Sequence, residues 1–491
     1  MGDKVQPLTG MATDREDPGV ADKPYQATTG EEPTRELSVD DILNFIGFGR
    51  FQVVAFFLAG FTYFAYACDV SLFIFVGSTL QQKWNLTELE YAILPAVTSI
   101  PNLIGSFIVS FLSDRYGRVW PYALTLIWTG MFSVGSAFAP TYPALIALRG
   151  LTSIGIGGIP VLTFPTLIEF LPLKNRGKVS LLVVLISVIG LCVSCGLAWW
   201  LIPSYSSYGW RYFIIATGVP VLLVALFRLL FYFESPRFLI GRGNSVKGWN
   251  VLSRMAWMNG KVLANFVQKE ELDTALCLIE VKRTNSTSIR QLLTIFKRPY
   301  LRRTLCLMIL IPSETFGYMG ATLFLPQFLK GIGETDTYFA ILVAFVAQIP
   351  GILFMSIIVE WPFVGRLNSL RLFSVLATVF FLLLAFVQTQ ISIPLFLVLI
   401  YFSMLPILPL LFTYISESYP TNIRALTTAY FYSIEALCGP ALPFVGAYAV
   451  ALNSYHWVYP AVWAGIFAVQ FVAALVLNYE PYGKKLQDIP E

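Results

Sequence analysis

Five charged residues stand inside or at the edge of long apolar runs in this 491-residue chain: Asp69, Arg149, Glu314 and Glu435, and Arg228, which lies close enough to the inner surface to snorkel and reads as topological. An ionised side chain at a bilayer centre costs roughly 2.5 to 3.5 kcal/mol or more unless it faces a cavity or a partner, so each of the first four is a candidate for chemistry. At a rise of about 1.5 Å per residue, Glu314 and Glu435 fall about 15 Å into their runs, near the midplane, and Asp69 about 25 Å. Arg149 opens its run from the other side. A carboxyl in a half-dry cavity can load and release a proton as access alternates; it can instead stay ionised and pair with a cationic substrate. The structural alternative is a protonated acid hydrogen-bonded inside a helix bundle. Tyr63, Phe64 and Tyr66, Phe316 and Tyr318, and Tyr430, Phe431 and Tyr432 accompany these acids in sequence. Aromatic faces beside carboxylates suit an organic cation, although aromatics make up 15% of the chain, so packing is the default role of any single ring.

A second set of charges is repeated. Glu169-Phe-Leu-Pro172-Leu-Lys-Asn-Arg176 returns as Glu417-Ser-Tyr-Pro420-Thr-Asn-Ile-Arg424, 417 − 169 = 248 residues later. Ser113-Asp114-Arg115-Tyr116-Gly117-Arg118 has a degenerate echo in Glu360-Trp-Pro-Phe-Val-Gly365-Arg366 at nearly the same offset. Half-chain repetition of this kind points to a duplicated membrane unit and a machine of two moving halves. Acid and base at these turns can pair across helix joints, and a carboxylate there can cap a neighbouring helix.

The elements that must position these groups follow from composition. Hydrophobic residues are 56% of the chain and charged residues 13%, against about 25% charge in a soluble domain. Twelve runs long enough to span roughly 30 Å lie near 52–78, 89–111, 120–139, 143–168, 179–202, 212–233, 304–329, 338–359, 370–389, 393–416, 425–450 and 456–478. They predict an all-α membrane protein with 12 transmembrane helices in two pseudo-symmetric six-helix halves, 52–233 and 304–478. Residues 1–37 are polar and read as a disordered cytosolic tail. Residues 38–50 read as an amphipathic juxtamembrane helix lying on the membrane surface, with Ile42, Leu43, Phe45 and Ile46 as its apolar face. Residues 234–303 form a cytosolic linker loop and 479–491 a second cytosolic tail. Lys and Arg crowd the linker and the turns on its side, whereas the opposite turns show little beyond Lys83, Arg211 and Lys330, so both termini are expected in the cytosol. Asn85-Leu-Thr87 then lies outside and matches a glycosylation signal.

The single histidine, His456, argues against a His-based metal or catalytic centre, and six scattered cysteines give no disulfide framework. No nucleophile and base can be assembled, so the chain is not expected to be an enzyme, to hold a cofactor or metal, or to bind nucleic acid.

These residues resemble the major facilitator superfamily over nearly the whole chain. Ser110-Phe-Leu-Ser-Asp114-Arg115-Tyr-Gly117-Arg118 is similar to that family's loop between the second and third helices, and Arg149 with Gly155, Gly157 and Gly158 resembles its fourth-helix motif. Glu234-Ser-Pro236-Arg237, the two Glu-x-x-Pro-x-x-x-Arg copies and Glu480-Pro-Tyr-Gly483-Lys-Lys-Leu486 resemble the sugar-porter branch in its wide sense. Asp40-Asp41-Ile42, Gly47-Phe-Gly49-Arg50-Phe51-Gln52 and Phe316-Gly-Tyr318-Met-Gly320 are similar to the synaptic-vesicle-protein-related transporters, with organic-cation transporters a looser match. The resemblance implies alternating access around a central cavity.

The resulting expectation is a secondary active transporter for a small organic solute, cationic rather than anionic or a sugar, driven by a proton gradient and working as a monomer in a plasma or vesicle membrane. Asp69, Arg149, Glu314, Tyr318, Glu435, Tyr63 and Phe316 are its expected substrate or proton contacts. Asp114, Arg115, Arg118, Glu169, Arg176, Glu234, Arg237, Glu360, Arg366, Glu417 and Arg424 are its expected cytosolic gate. The rivals are an organic anion held by Arg149, a sugar, or a non-transporting sensor or trafficking protein on the same fold.

Overall fold

Backbone amides in hydrocarbon have no water to bond, so a long apolar run must satisfy them within itself. In the computed structural model every regular element among the described residues is a helix. The description covers residues 39–480 except 173–175, 206–207, 231–232, 241, 266–292, 299, 335, 360, 362, 388, 390–391, 420 and 453–455, and it leaves out the side chains of 177–178, 421–422 and 424–426. The expected tail 1–37, the middle of the linker, Glu360 and the side chain of Arg424 therefore lie outside the described residues.

The first half comprises span one (Arg50–Phe75), two (Glu88–Tyr116), three (Val119–Ser136), four (Tyr142–Ile168), five (Val179–Ser204) and six (Gly209–Leu230). The second comprises seven (Leu301–Leu323), eight (Thr337–Ile358), nine (Gly365–Phe386), ten (Ser392–Ser418), eleven (Thr427–Ala451) and twelve (Val458–Val476). Span three is the least apolar, because Trp120, Tyr122, Trp128 and three Ser or Gly residues in its last four dilute it. Its 18 residues still reach about 27 Å, close to the hydrocarbon thickness. The second half is the more broken of the two. Span seven changes to a π-helix over Phe316–Gly320, span ten is interrupted between Met404 and Ile407, and span eleven between Cys438 and Leu442.

The halves meet away from the linker. Phe75 stacks on Tyr338 at 6.2 Å, Tyr91 meets Phe324 edge-on at 6.1 Å, and Lys330 Nζ donates to Ser78 Oγ at 2.8 Å. These contacts join the two halves at the end of the bundle away from the linker. At the linker end, Arg118 pairs with Asp114 and Glu169, Arg366 pairs with Glu417, and Arg176 and Arg237 both pair with Asp40.

The juxtamembrane helix spans Val39–Ile46 and ends at Gly47, whose φ of +71° stops it. It does not lay its apolar face on a membrane: Ile42, Leu43 and Ile46 are buried in protein, because the linker helix Ser245–Met258 packs against it. Span one starts at Gly49, which has no capping side chain of its own. Asn259, just past the linker helix, supplies the missing acceptor, taking a hydrogen bond from Phe51 N (3.1 Å) and donating to Gln52 Oε1 (2.8 Å).

Candidate functional site

Asp69 and Arg149 find each other. Span one carries Asp69 to the guanidinium of Arg149 on span four, which donates from Nη2 to Oδ2 at 3.1 Å and from Nη1 to Oδ1 at 3.2 Å. Ser133 of span three donates to the same carboxylate and also accepts from Arg149 Nη1. Arg149 is 0% and Asp69 1% exposed, so the pair is sealed between spans one, three and four. Gly155 and Gly157 admit this packing: a Cβ on either would run into Thr129 or into the backbone of Asn102. An anchoring role for Arg149 toward a free anion is disfavoured here, since two of its nitrogens are already committed to Asp69.

Glu314 has a different setting. It was expected to face a cavity, but its side chain turns into the seam with span twelve and is 1% exposed. Gln470 Nε2 donates to its Oε2 at 2.9 Å. The reason is close packing: Gly317 and Gly320 lie so near Phe467 and Trp463 that no side chain would fit, which locks the register of spans seven and twelve. Gln470, an amide in a run of Val, Ala and Phe, is the residue that sequence reasoning missed. Its one signal is its polarity in the middle of Val458–Val476.

Glu435 faces the space between the halves. It is half-buried, with one oxygen shielded but without a hydrogen-bond partner. Tyr63 and Tyr66 of span one and Tyr432 of its own span lie within charge-interaction range. Tyr63 packs on Tyr66 (5.5 Å between centroids) and Phe164 (4.8 Å), while Tyr432 stacks on Phe412 at 4.0 Å. Tyr318 is held deeper, its hydroxyl donating to Gln348 Oε1 at 3.4 Å, and Phe316 packs against the large core cluster to which both halves contribute. A hollow of about 440 Å³ between spans five and six, edged by Trp200, Tyr205 and Tyr212, holds none of these acids.

The charges at the linker end form two matching clusters. Arg118 pairs with Asp114 (2.8 Å) and Glu169 (3.4 Å), and Arg366 makes a two-pronged pair with Glu417 (2.9 and 3.0 Å). The offsets agree: 366 − 118 = 248 and 417 − 169 = 248. Glu234 accepts from the amides of Arg118 (2.8 Å) and Val119 (3.3 Å) at the start of span three; Glu480 does the same for Arg366 (3.1 Å) and Leu367 (2.8 Å) at span nine. Gly117 and Gly365, at φ of +99° and +63°, make room for those carboxylates. Glu234 is thus a helix cap and not a partner of Arg237. Arg237 and Arg176 both bind Asp40 of the juxtamembrane helix, Arg176 at 2.5 Å. Arg115 lies over the Tyr116 ring at 5.7 Å. Asn85 is exposed in a left-handed turn, and Thr87 of its signal caps span two.

A twelve-helix bundle built from two related halves, with acids buried inside its spans, defines a secondary membrane transporter. The chain belongs to the Major Facilitator Superfamily, whose model matches residues 59–443. It is 27% identical to the organic cation/carnitine transporter 7 of Arabidopsis thaliana, over 92% of this chain and 96% of that protein. It is 28% identical to the synaptic vesicle 2-related protein of Bos taurus (92% and 82%), and 26% identical to the niacin transporter NiaP of Acinetobacter baylyi (90% and 97%). The xylose transporter XylE of E. coli, in a partially occluded inward-open conformation, superposes with a TM-score of 0.71 at 16% identity, covering 89% of this chain and 99% of that one. The protein is a multi-pass membrane transporter and not an enzyme.

Proposed function

We propose that the protein carries a small organic cation across its membrane by alternating access, coupled to protons. The observation that carries this reading is Glu435: a carboxylate with an unpartnered oxygen, facing Tyr63 and Tyr66 across the boundary between the halves. Tyrosine faces attract a cation by about 0.5 to 2 kcal/mol each, and the carboxylate supplies the counter-charge. Two of the relatives described above are named for organic cations or for niacin, which fits a small organic solute. Asp69 with Arg149, and Glu314, are the proton sites of this reading. Arg118, Arg176, Arg237, Arg242, Arg303 and Arg366 gather at the linker end, so that end faces the cytosol, and both termini then do as well. The Arg118 and Arg366 clusters act in this reading as the base of each half on which the cytosolic gate turns. One chain supplies both walls of the site, so a monomer suffices. Uptake of a labelled organic cation by purified protein in liposomes tests the proposal: Glu435→Gln abolishes it, and uptake that survives this change while Arg149→Met removes it would instead favour an anion.

A further inference from the structure

The two buried acids of spans one and seven are neutralised by different means. Asp69 has a guanidinium against it. Glu314, equally buried, has no cation against it among the described residues; its polar neighbour is the neutral amide of Gln470, and the titratable groups within range are Glu435 of span eleven and Tyr318 of its own span, neither of which brings positive charge. An ionised carboxylate stripped of water and without a counter-ion is far too costly to persist. Two orphan oxygens point to the resolution. Glu314 Oε1 and Gln470 Oε1 are both buried without a hydrogen-bond partner, while Gln470 Nε2 already donates to Glu314 Oε2. Two acceptors cannot bond each other, but with Gln470 Nε2 already on Oε2, a proton on Glu314 Oε1 would make that oxygen a donor to Gln470 Oε1 and close a cyclic acid–amide pair.

We propose that Glu314 carries its proton in this conformation as one partner of an acid–amide pair with Gln470, making Gln470 a positioning residue for a transported proton. The role in transport rests on the proton-coupled reading above; the pair itself does not. The register supports it. The contacts 314 with 470, 317 with 467 and 320 with 463 sum to 784, 784 and 783, one antiparallel seam without slippage. Two residues past Glu314 the helix widens into its π-turn, Phe316–Gly320, a feature found often at functional sites. A rearrangement of that turn would change the register between spans seven and twelve and draw Glu314 off Gln470. The proton is thus held in the closed seam and released when the seam opens.

Infrared difference spectroscopy of the purified full-length protein through a pH titration tests this without any substrate. The wild type is expected to show a protonated-carboxyl C=O band that is lost in Glu314→Gln. Gln470→Met is expected to move that band to higher frequency, because the carbonyl loses its donor, and to shift the pH at which it titrates. Gln470→Asn keeps a donor and an acceptor, brings the band part of the way back, and serves where the methionine variant does not purify as folded protein. Absence of a band specific to Glu314 overturns the proposal. So does a band that neither Gln470 variant moves. If the band behaves as expected while liposome uptake ignores the proton gradient, the acid–amide pair stands and the coupled-transport reading falls.

Discussion

The sealed Asp69–Arg149 pair permits a quantitative test by double-mutant cycle. At a separation of 3.1 Å and an effective dielectric near 20, the Coulomb attraction is about 5 kcal/mol, most of it offset by the cost of drying both groups. Removing one partner leaves a bare charge among spans one, three and four, where neither residue is more than 1% exposed. Such a change costs roughly 3 to 5 kcal/mol, whereas replacing both charges with neutral groups of similar size is often close to neutral. Asp69→Asn and Arg149→Met are therefore each expected to lower thermal stability in detergent steeply, and the double variant to recover most of the loss. The coupling energy should be about 3 kcal/mol or more. The four proteins can be compared by thermal unfolding followed through tryptophan fluorescence. Losses that simply add in the double variant would refute the reasoning and mean that the two side chains do not neutralise one another. The double variant should also be folded yet unable to use a proton gradient.

Three further predictions follow from named contacts. Burial alone would push the Asp40 carboxyl up, but the hydrogen bonds and charges of Arg237 and then Arg176 outweigh it and hold the group below the usual carboxylate range. Its contribution is therefore present above the unfolded value of about 3.9 and is lost as pH falls through the folded value. Hydrogen exchange in Val39–Ile46 should stay slow from neutral pH down to about pH 4 and rise below it; Asp40→Asn should raise it at neutral pH by about 1 kcal/mol of local stability, after allowing for screening. Glu234→Ala and Glu480→Ala should each cost about 0.5 to 2 kcal/mol by uncapping spans three and nine, and Gly117→Ala should mimic the first, since its Cβ would collide with the Glu234 carboxylate; thermal unfolding reads all three. Tyr63→Leu should raise KM for an organic cation by about 2- to 30-fold, the equivalent of one cation–π contact, with little change in the rate at saturation, as measured by uptake against concentration.

The repeat was legible from residue spacing alone. The 248-residue offset between Glu169 and Glu417 reappears in space as Arg118–Glu169 and Arg366–Glu417, because duplicated turns fold in duplicate. The spans were legible for a different reason: apolar runs of this length have few alternatives to a membrane helix. Partners distant in sequence were not. Arg176 reaches Asp40 across 176 − 40 = 136 positions, and nothing local links Asn259 to the first turn of span one. The direction of Glu314 was also hidden, since depth in the bilayer follows from counting residues whereas the face it presents depends on how span twelve packs. That packing is decided by Gly317, Gly320, Phe467 and Trp463 together. The capping roles of Glu234 and Glu480 lay in motifs that were recognised, but sequence alone does not distinguish a carboxylate that accepts from two amides from one that pairs with an arginine.

The most direct test of the transport mechanism is uptake of labelled organic cations by purified protein in liposomes, with and without an inward proton gradient. Uptake that rises with the gradient, disappears in Glu435→Gln, and becomes independent of the gradient in Glu314→Gln is the expected result. Gradient-independent uptake by the wild type, or full uptake in Glu435→Gln, would contradict it.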